Sequence, residues 1–267
     1  MTPLRFARVS WAVLLVTFGC AAPRPSELPL DEPWLVAVKS ARLTSRYPWI
    51  TRFAHHSWID VKAGDEQAWM RYEVRGRGRG VMLRSIAGPA ARGDLWFDGR
   101  PIHVQRVITG APAQRIAAAL AQLAPAEDAR YEEGYWMWPG PNSNTFVAEF
   151  TDAIPELACL LDHNACGKDW HGFLGAGLTP SRTGVHLDLP LLGAAIGLEE
   201  GVELHLLGLT AAVRLFPPSL ALPFLPSLPQ GAIVEWGASS PTDGSGRRGP
   251  ADVPPAAPPN AGYDPRP

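Results

Sequence analysis

Period-two alternation marks the first part of the chain. Trp34 to Lys39 is an apolar run that predicts a first strand. In His56–Lys62, Ser57, Ile59 and Val61 share one face, and His56, Trp58 and Asp60 share the other. Trp69–Val74 sets Arg71 and Glu73 opposite Met70, Tyr72 and Val74. Ala63-Gly64-Asp65 reads as the turn between these strands. Further strands are predicted at Gly80–Ser85, Asp94–Phe97 and Ile102–Val107, with a hairpin signal at Asp98-Gly99. The period then changes. Ile116, Leu120 and Leu123 form one stripe of a helix over 113–124, opened by Pro112 and ended by Pro125. Phe146, Val147, Phe150 and Ile154 predict a second helix, stopped or kinked by Pro155. Alternation returns late. Val185, Leu187 and Leu189 interleave with His186 and Asp188, and Val202, Leu204 and Leu206 with Glu203 and His205. Three or four antiparallel strands are expected there. Leu191–Leu198 is apolar on both faces, either a buried strand or a surface that touches lipid or a partner. The expected fold class is α+β, an antiparallel sheet with a few mid-chain helices.

Composition adds the ends of the chain. A basic start with Arg5 and Arg8, an apolar run from Trp11 to Phe18, and Gly19-Cys20 resemble a bacterial lipoprotein signal, with Cys20 lipidated. Thr17 and Phe18 depart from the usual residues before that cysteine, so ordinary signal cleavage nearby is the alternative. The expected organisation is a signal over 1–20, a tether over 21–33, one folded domain over 34–236 and a Pro-rich disordered tail over 237–267. Within the domain, 34–172 is the core and 173–236 a β-rich extension. The expected location is the bacterial envelope, lipid-anchored on the periplasmic face of the outer membrane, or else secreted. A formal net charge of -2 gives no electrostatic case for nucleic acid. The partners expected are the membrane, through lipid on Cys20, and an envelope ligand or protein.

The densest chemistry lies at Trp138-Pro139-Gly140-Pro141-Asn142-Ser143-Asn144-Thr145-Phe146. A small polar residue at a helix start meets unpaired N–H groups. Ser143 can be a cap or loop residue, a nucleophile or a ligand contact. Asn142 and Asn144 can cap the helix, or Asn142 can donate to an oxyanion. Trp136 and Trp138 can line a groove or belong to the core. Gly167-Lys168-Asp169-Trp170-His171 is a second polar cluster. Cys159 and Cys166 can close a short disulfide loop or act as two small buried hydrophobes. No ligand pair has zinc-type spacing, so no metal site or cofactor is expected.

The Trp138–Phe146 run resembles the hallmark of an uncharacterised bacterial domain family. His56-Ser57-Trp58-Ile59, Tyr72-Glu73-Val74, Gly167-Lys168-Asp169, Gly197-Leu198-Glu199-Glu200-Gly201 and Leu206-Leu207-Gly208-Leu209 fit the same pattern. A looser similarity is to circularly permuted papain-like proteins, which carry an early histidine strand and a later Asn-Cys-Asn-x-Phe motif. That similarity implies Ser143 in the nucleophile position and His56 as base, with Asp60, Glu73 or Asp169 available to orient the histidine; Asp169 completes the candidate triad. Asn142, Asn144, Trp138, Lys168 and Glu73 are the candidate ligand contacts. Serine for cysteine weakens the nucleophile. Two readings follow: an envelope lipoprotein with a binding groove, taken as the default, and a Ser/His hydrolase or acyl transferase acting on an envelope amide or ester.

Overall fold

A computed structural model describes residues 28–29, 31–64, 68–76, 81–87 and 102–228. Expectations for the signal, most of the tether, the Asp94–Phe97 strand, the Asp98-Gly99 turn and the tail lie outside those residues.

Five strands form the first sheet: β1 (Leu35–Arg42), β2 (His55–Lys62), β3 (Ala68–Val74), β4 (Val81–Ala87) and β5 (Ile102–Thr109). Their order is β4-β3-β2-β1-β5, and every pairing is antiparallel. The two faces of β2 divide as its alternation predicts. Ile59 and Val61 join Val36, Val38, Tyr72 and Val74 in the main core. That core is closed by α1 (Gly110–Leu123), α2 (Asp128–Gly134) and α3 (Ser143–Ala153), through Ile116, Leu120, Tyr131, Phe146, Val147 and Phe150. Burying such a side chain stabilises the fold by about 1.5–3 kcal/mol. The helix α1 begins three residues before the expected Ala113. Gly110, at φ 67, turns the chain out of β5, and Pro112 falls in the first turn, where a missing N–H costs nothing.

The opposite face of the first sheet carries a buried ion cluster. Asp60 accepts from Arg71 Nε at 2.7 Å, Arg71 Nη2 at 2.8 Å, Lys39 Nζ at 3.0 Å and Trp58 Nε1 at 3.0 Å. One carboxylate thus holds two cations that burial would otherwise strand.

The second sheet is a six-stranded meander: β6 (Gly175–Leu178), β7 (Val185–Asp188), β8 (Leu192–Gly197), β9 (Gly201–Leu206), β10 (Leu209–Leu215) and β11 (Pro218–Ala221). Leu207 and Gly208, at φ 55 and 72, make the tight turn from β9 to β10. This sheet is dressed in an unusual way. Asp188, Glu203, His205 and Arg214 are buried on its inner face, while Leu187, Leu192, Ile196, Val202, Leu204 and Val213 are exposed on its outer face. One-sided antiparallel sheets ordinarily do the reverse. The molecule is therefore α+β with two antiparallel sheets. Among the described residues no helix is long and apolar enough to cross a membrane.

Candidate functional site

The loop before α3 is fixed by its own side chains. Asn142 Oδ1 accepts from the backbone N–H of Asn144 at 2.9 Å and of Thr145 at 3.3 Å. Thr145 Oγ1 accepts from Asn142 N at 3.0 Å, completing a capping box. Both amide hydrogens of Asn142 are also engaged, by the carbonyls of Met137 and Cys166, each at 3.1 Å. An asparagine amide has two donors, so Asn142 keeps none for an oxyanion.

Asn144 does a different job. Its Nδ2 donates to the carbonyls of His55 and Cys166, both at 2.9 Å, and its Oδ1 accepts from Ser57 N at 3.0 Å. The amide thus saturates the backbone of β2 on either side of His56, much as another strand would. Thr145 Oγ1 donates to Gly167 O at 2.7 Å. At Gly167, with φ 87, a Cβ would stand 2.5 Å from Asn142 Nδ2 and 2.6 Å from Pro139 O. Only glycine fits there.

Ser143 lies between these two asparagines, at the first position of α3, with 6% of its surface exposed. Its hydroxyl hydrogen-bonds to none of the described residues. His56 is buried and projects from the Trp58 and Asp60 side of β2, whereas α3 packs on the Ile59 and Val61 side. His56 Nε2 and Glu73 Oε2 are 3.0 Å apart, and the imidazole stacks on Trp58. Burial would raise the Glu73 pKa, but the hydrogen bond and charge of His56, with Arg75 and Arg71, outweigh it and pull the pKa below the ordinary carboxylate value. Glu73 is thus the carboxylate behind His56. Asp60 belongs to Lys39 and Arg71, and Asp169 to the second sheet. His55, on the other face, is 3.4 Å from Ser40 Oγ and 3.8 Å from Asp162. Burial pushes its pKa down to about 4 in spite of Asp162.

Trp136, Met137 and Trp138 are exposed beside this loop and form an apolar ledge. Cys159 and Cys166 are free thiols, and burial raises both to about 12, which leaves them unreactive at neutral pH.

Lys168 and Asp169 join the inner face of the second sheet. Lys168 Nζ contacts Asp169 at 2.6 Å and Glu203 at 3.1 Å; Thr210 donates to Asp169 and Arg214 to Glu203. Beside them Asp188 gathers three histidines: His205 Nδ1 at 2.6 Å, His186 Nδ1 at 2.6 Å and His171 Nδ1 at 3.2 Å. Burial would lower both His171 and His205. Contacts with Asp152 and Asp188 instead push His171 up to about 10, and Asp169, Asp188 and Glu203 push His205 up to about 9. Asp188 is held well below the usual carboxylate range, its three histidine partners outweighing burial. Sequence reasoning marked Lys168 and Asp169 but missed Asp188, His186 and His205. Their signal was visible as polar positions alternating with apolar ones on β7 and β9, without any indication that those positions face inward.

Two antiparallel sheets, a polar-capped central helix and a histidine–carboxylate cluster define an α+β protein. Residues 35–170, just over half of the chain, match the family described as Protein of unknown function (DUF3750), and the chain belongs to that family. The capping loop lies inside the match and the second sheet outside it. No curated protein and no solved structure matches the chain.

Proposed function

We propose that this protein is an exported, lipid-anchored envelope protein that binds rather than catalyses, and that its folded domain docks on the membrane surface. The observation that carries the reading is the outer face of the second sheet, where aliphatic side chains from β7, β8, β9 and β10 are exposed together. A contiguous apolar face of that kind marks an interaction site. A lipid surface is its occupant because of the anchor. With Cys20 lipidated, a tether over 21–33 spans at most about 45 Å, so the domain stays beside the bilayer. The ledge of Trp136, Met137 and Trp138, next to Asn142–Phe146, serves as the groove for an envelope ligand or partner.

The papain-like alternative, with Ser143 as nucleophile and His56 as base, has less support. Among the described residues Ser143 Oγ has no bonded base, both Asn142 amide hydrogens are engaged, and His56 projects from the face of β2 away from α3. Flotation with anionic phospholipid vesicles tests the docking reading. The full chain carrying Cys20→Ser, and so lacking lipid, is expected to float, and Leu187→Glu with Leu204→Glu is expected to abolish flotation. A soluble dimer that the same pair of substitutions dissociates, with no flotation of the parent, would show that the face is covered by a second copy instead.

A further inference from the structure

His171, His186 and Asp188 come from three places: the loop after α3, the middle of β7 and its end. One ligand atom from each lies within 4.8 Å of the others. The two closest approaches centre on Asp188 Oδ2, with His186 Nδ1 at 2.6 Å and His171 Nδ1 at 3.2 Å. Ligands bound to zinc at about 2.0–2.1 Å in a tetrahedron stand about 3.3 Å apart, so small rotations of these side chains suffice. The His171 contact lacks hydrogen-bond geometry even though its nitrogen is buried. A nitrogen close to a carboxylate but not aimed at it is what two ligands sharing an ion look like.

Three further features point the same way. Both outer groups are oriented from behind: His171 Nε2 faces Asp152 at 3.7 Å, and Asp188 Oδ1 contacts His205 Nδ1 at 2.6 Å. Such partners fix ligand rings and carboxylates at metal centres. The backbone also makes room. A Cβ at Gly193 would lie 1.9 Å from Asp188 Oδ1, and one at Gly175 would lie 2.2 Å from His171 Cβ. Finally, His171, His186 and Asp188 line a cleft with about 40 Å³ of free space, room for a small ion.

We propose that His171, His186 and Asp188 bind one divalent transition-metal ion of the zinc class, with His205 and Asp152 as positioning residues. Imidazole and carboxylate ligands suit that class. The neighbouring group of Asp169, Glu203 and His205 does not compete, because the Lys168 ammonium already occupies it. Three protein ligands leave a fourth position open to water. The site is independent of membrane docking.

The test uses the full chain, stripped with a chelator and titrated with Zn²⁺ in a calorimeter. Saturable uptake is expected. His186→Ala and Asp188→Asn should each weaken it by more than about tenfold, and His103→Ala, outside the cluster, should not. Should the variants fail to fold, diethylpyrocarbonate footprinting of the unmodified chain decides. Zn²⁺ is expected to protect His171 and His186 while His103 reacts equally with and without it. Absent uptake, uptake that both variants retain, or His171 and His186 that react equally with and without Zn²⁺ would overturn the proposal.

Discussion

Asn144 and Ser143 are neighbours with opposite expected sensitivities. The Asn144 amide satisfies three buried backbone groups. Asn144→Ala takes this partner from Ser57 N–H and His55 C=O, while Cys166 C=O keeps Asn142 Nδ2, so a loss of about 2–3 kcal/mol is expected in urea unfolding. Ser143 hydrogen-bonds to none of the described residues, and Ser143→Ala should stay within about 0.5 kcal/mol of the parent. The largest single loss is expected at Asp60. Asp60→Ala strips the carboxylate from two buried cations and should cost about 3–5 kcal/mol. A motif whose middle residue contributes least to folding would mark Ser143 as the position to probe with ligands.

At the scale of elements, β1, β2, β3, β5, α1 and α3 were all legible, because a sheet packed on helices sorts its residues by alternation and its helices by punctuation. The division of β2 into an Ile59 face and a Trp58 face followed from period two alone. The second sheet was legible as strands but not as a surface. Alternation tells which residues share a face and never which face is buried; here the polar row, Asp188, Glu203 and His205, is the inner one. The site was legible only where its residues are close in sequence. Asn142, Asn144 and Thr145 lie within one turn, and their capping role could be read directly. The pairing of His56 with Glu73, and the gathering of His171, His186, Asp188 and His205, depend on strand register and on which side a sheet turns. Spacing rules for metal ligands do not see groups contributed by separate elements. The same packing sets a prediction for β8. Gly193→Ala introduces a methyl where Asp188 Oδ1 stands, and should destabilise the protein by about 1–3 kcal/mol, as read by thermal unfolding.

For the whole molecule, His55, His171 and His205 give stability an optimum near neutral pH. In metal-free protein, His171 and His205 have folded pKa values raised to about 10 and about 9. The unfolded chain releases these protons near pH 6.5, so the stability they contribute is present below that value and is lost as pH rises towards 9–10. His55 works in the other direction. Its folded pKa is lowered to about 4, so stability falls as pH drops from about 6.5 to 4, where the unfolded chain takes up a proton that the folded protein refuses. Urea midpoints across pH 4 to 10, with chelator present, are expected to trace both limbs. His171→Gln together with His205→Gln should flatten only the alkaline one.

The central claim concerns the outer face of the second sheet, and a spin label tests it most directly. Cys166 is buried, Cys159 is partly buried and both have raised pKa values, so in a Cys20→Ser background a nitroxide can be attached selectively at Leu204→Cys. With vesicles present, the account predicts that power saturation reports high collision with oxygen and low collision with a water-soluble nickel complex at that position. A label at Trp49→Cys, exposed in the connection between β1 and β2, should report the reverse. Equal access of the nickel complex to both labels would contradict membrane docking through this sheet.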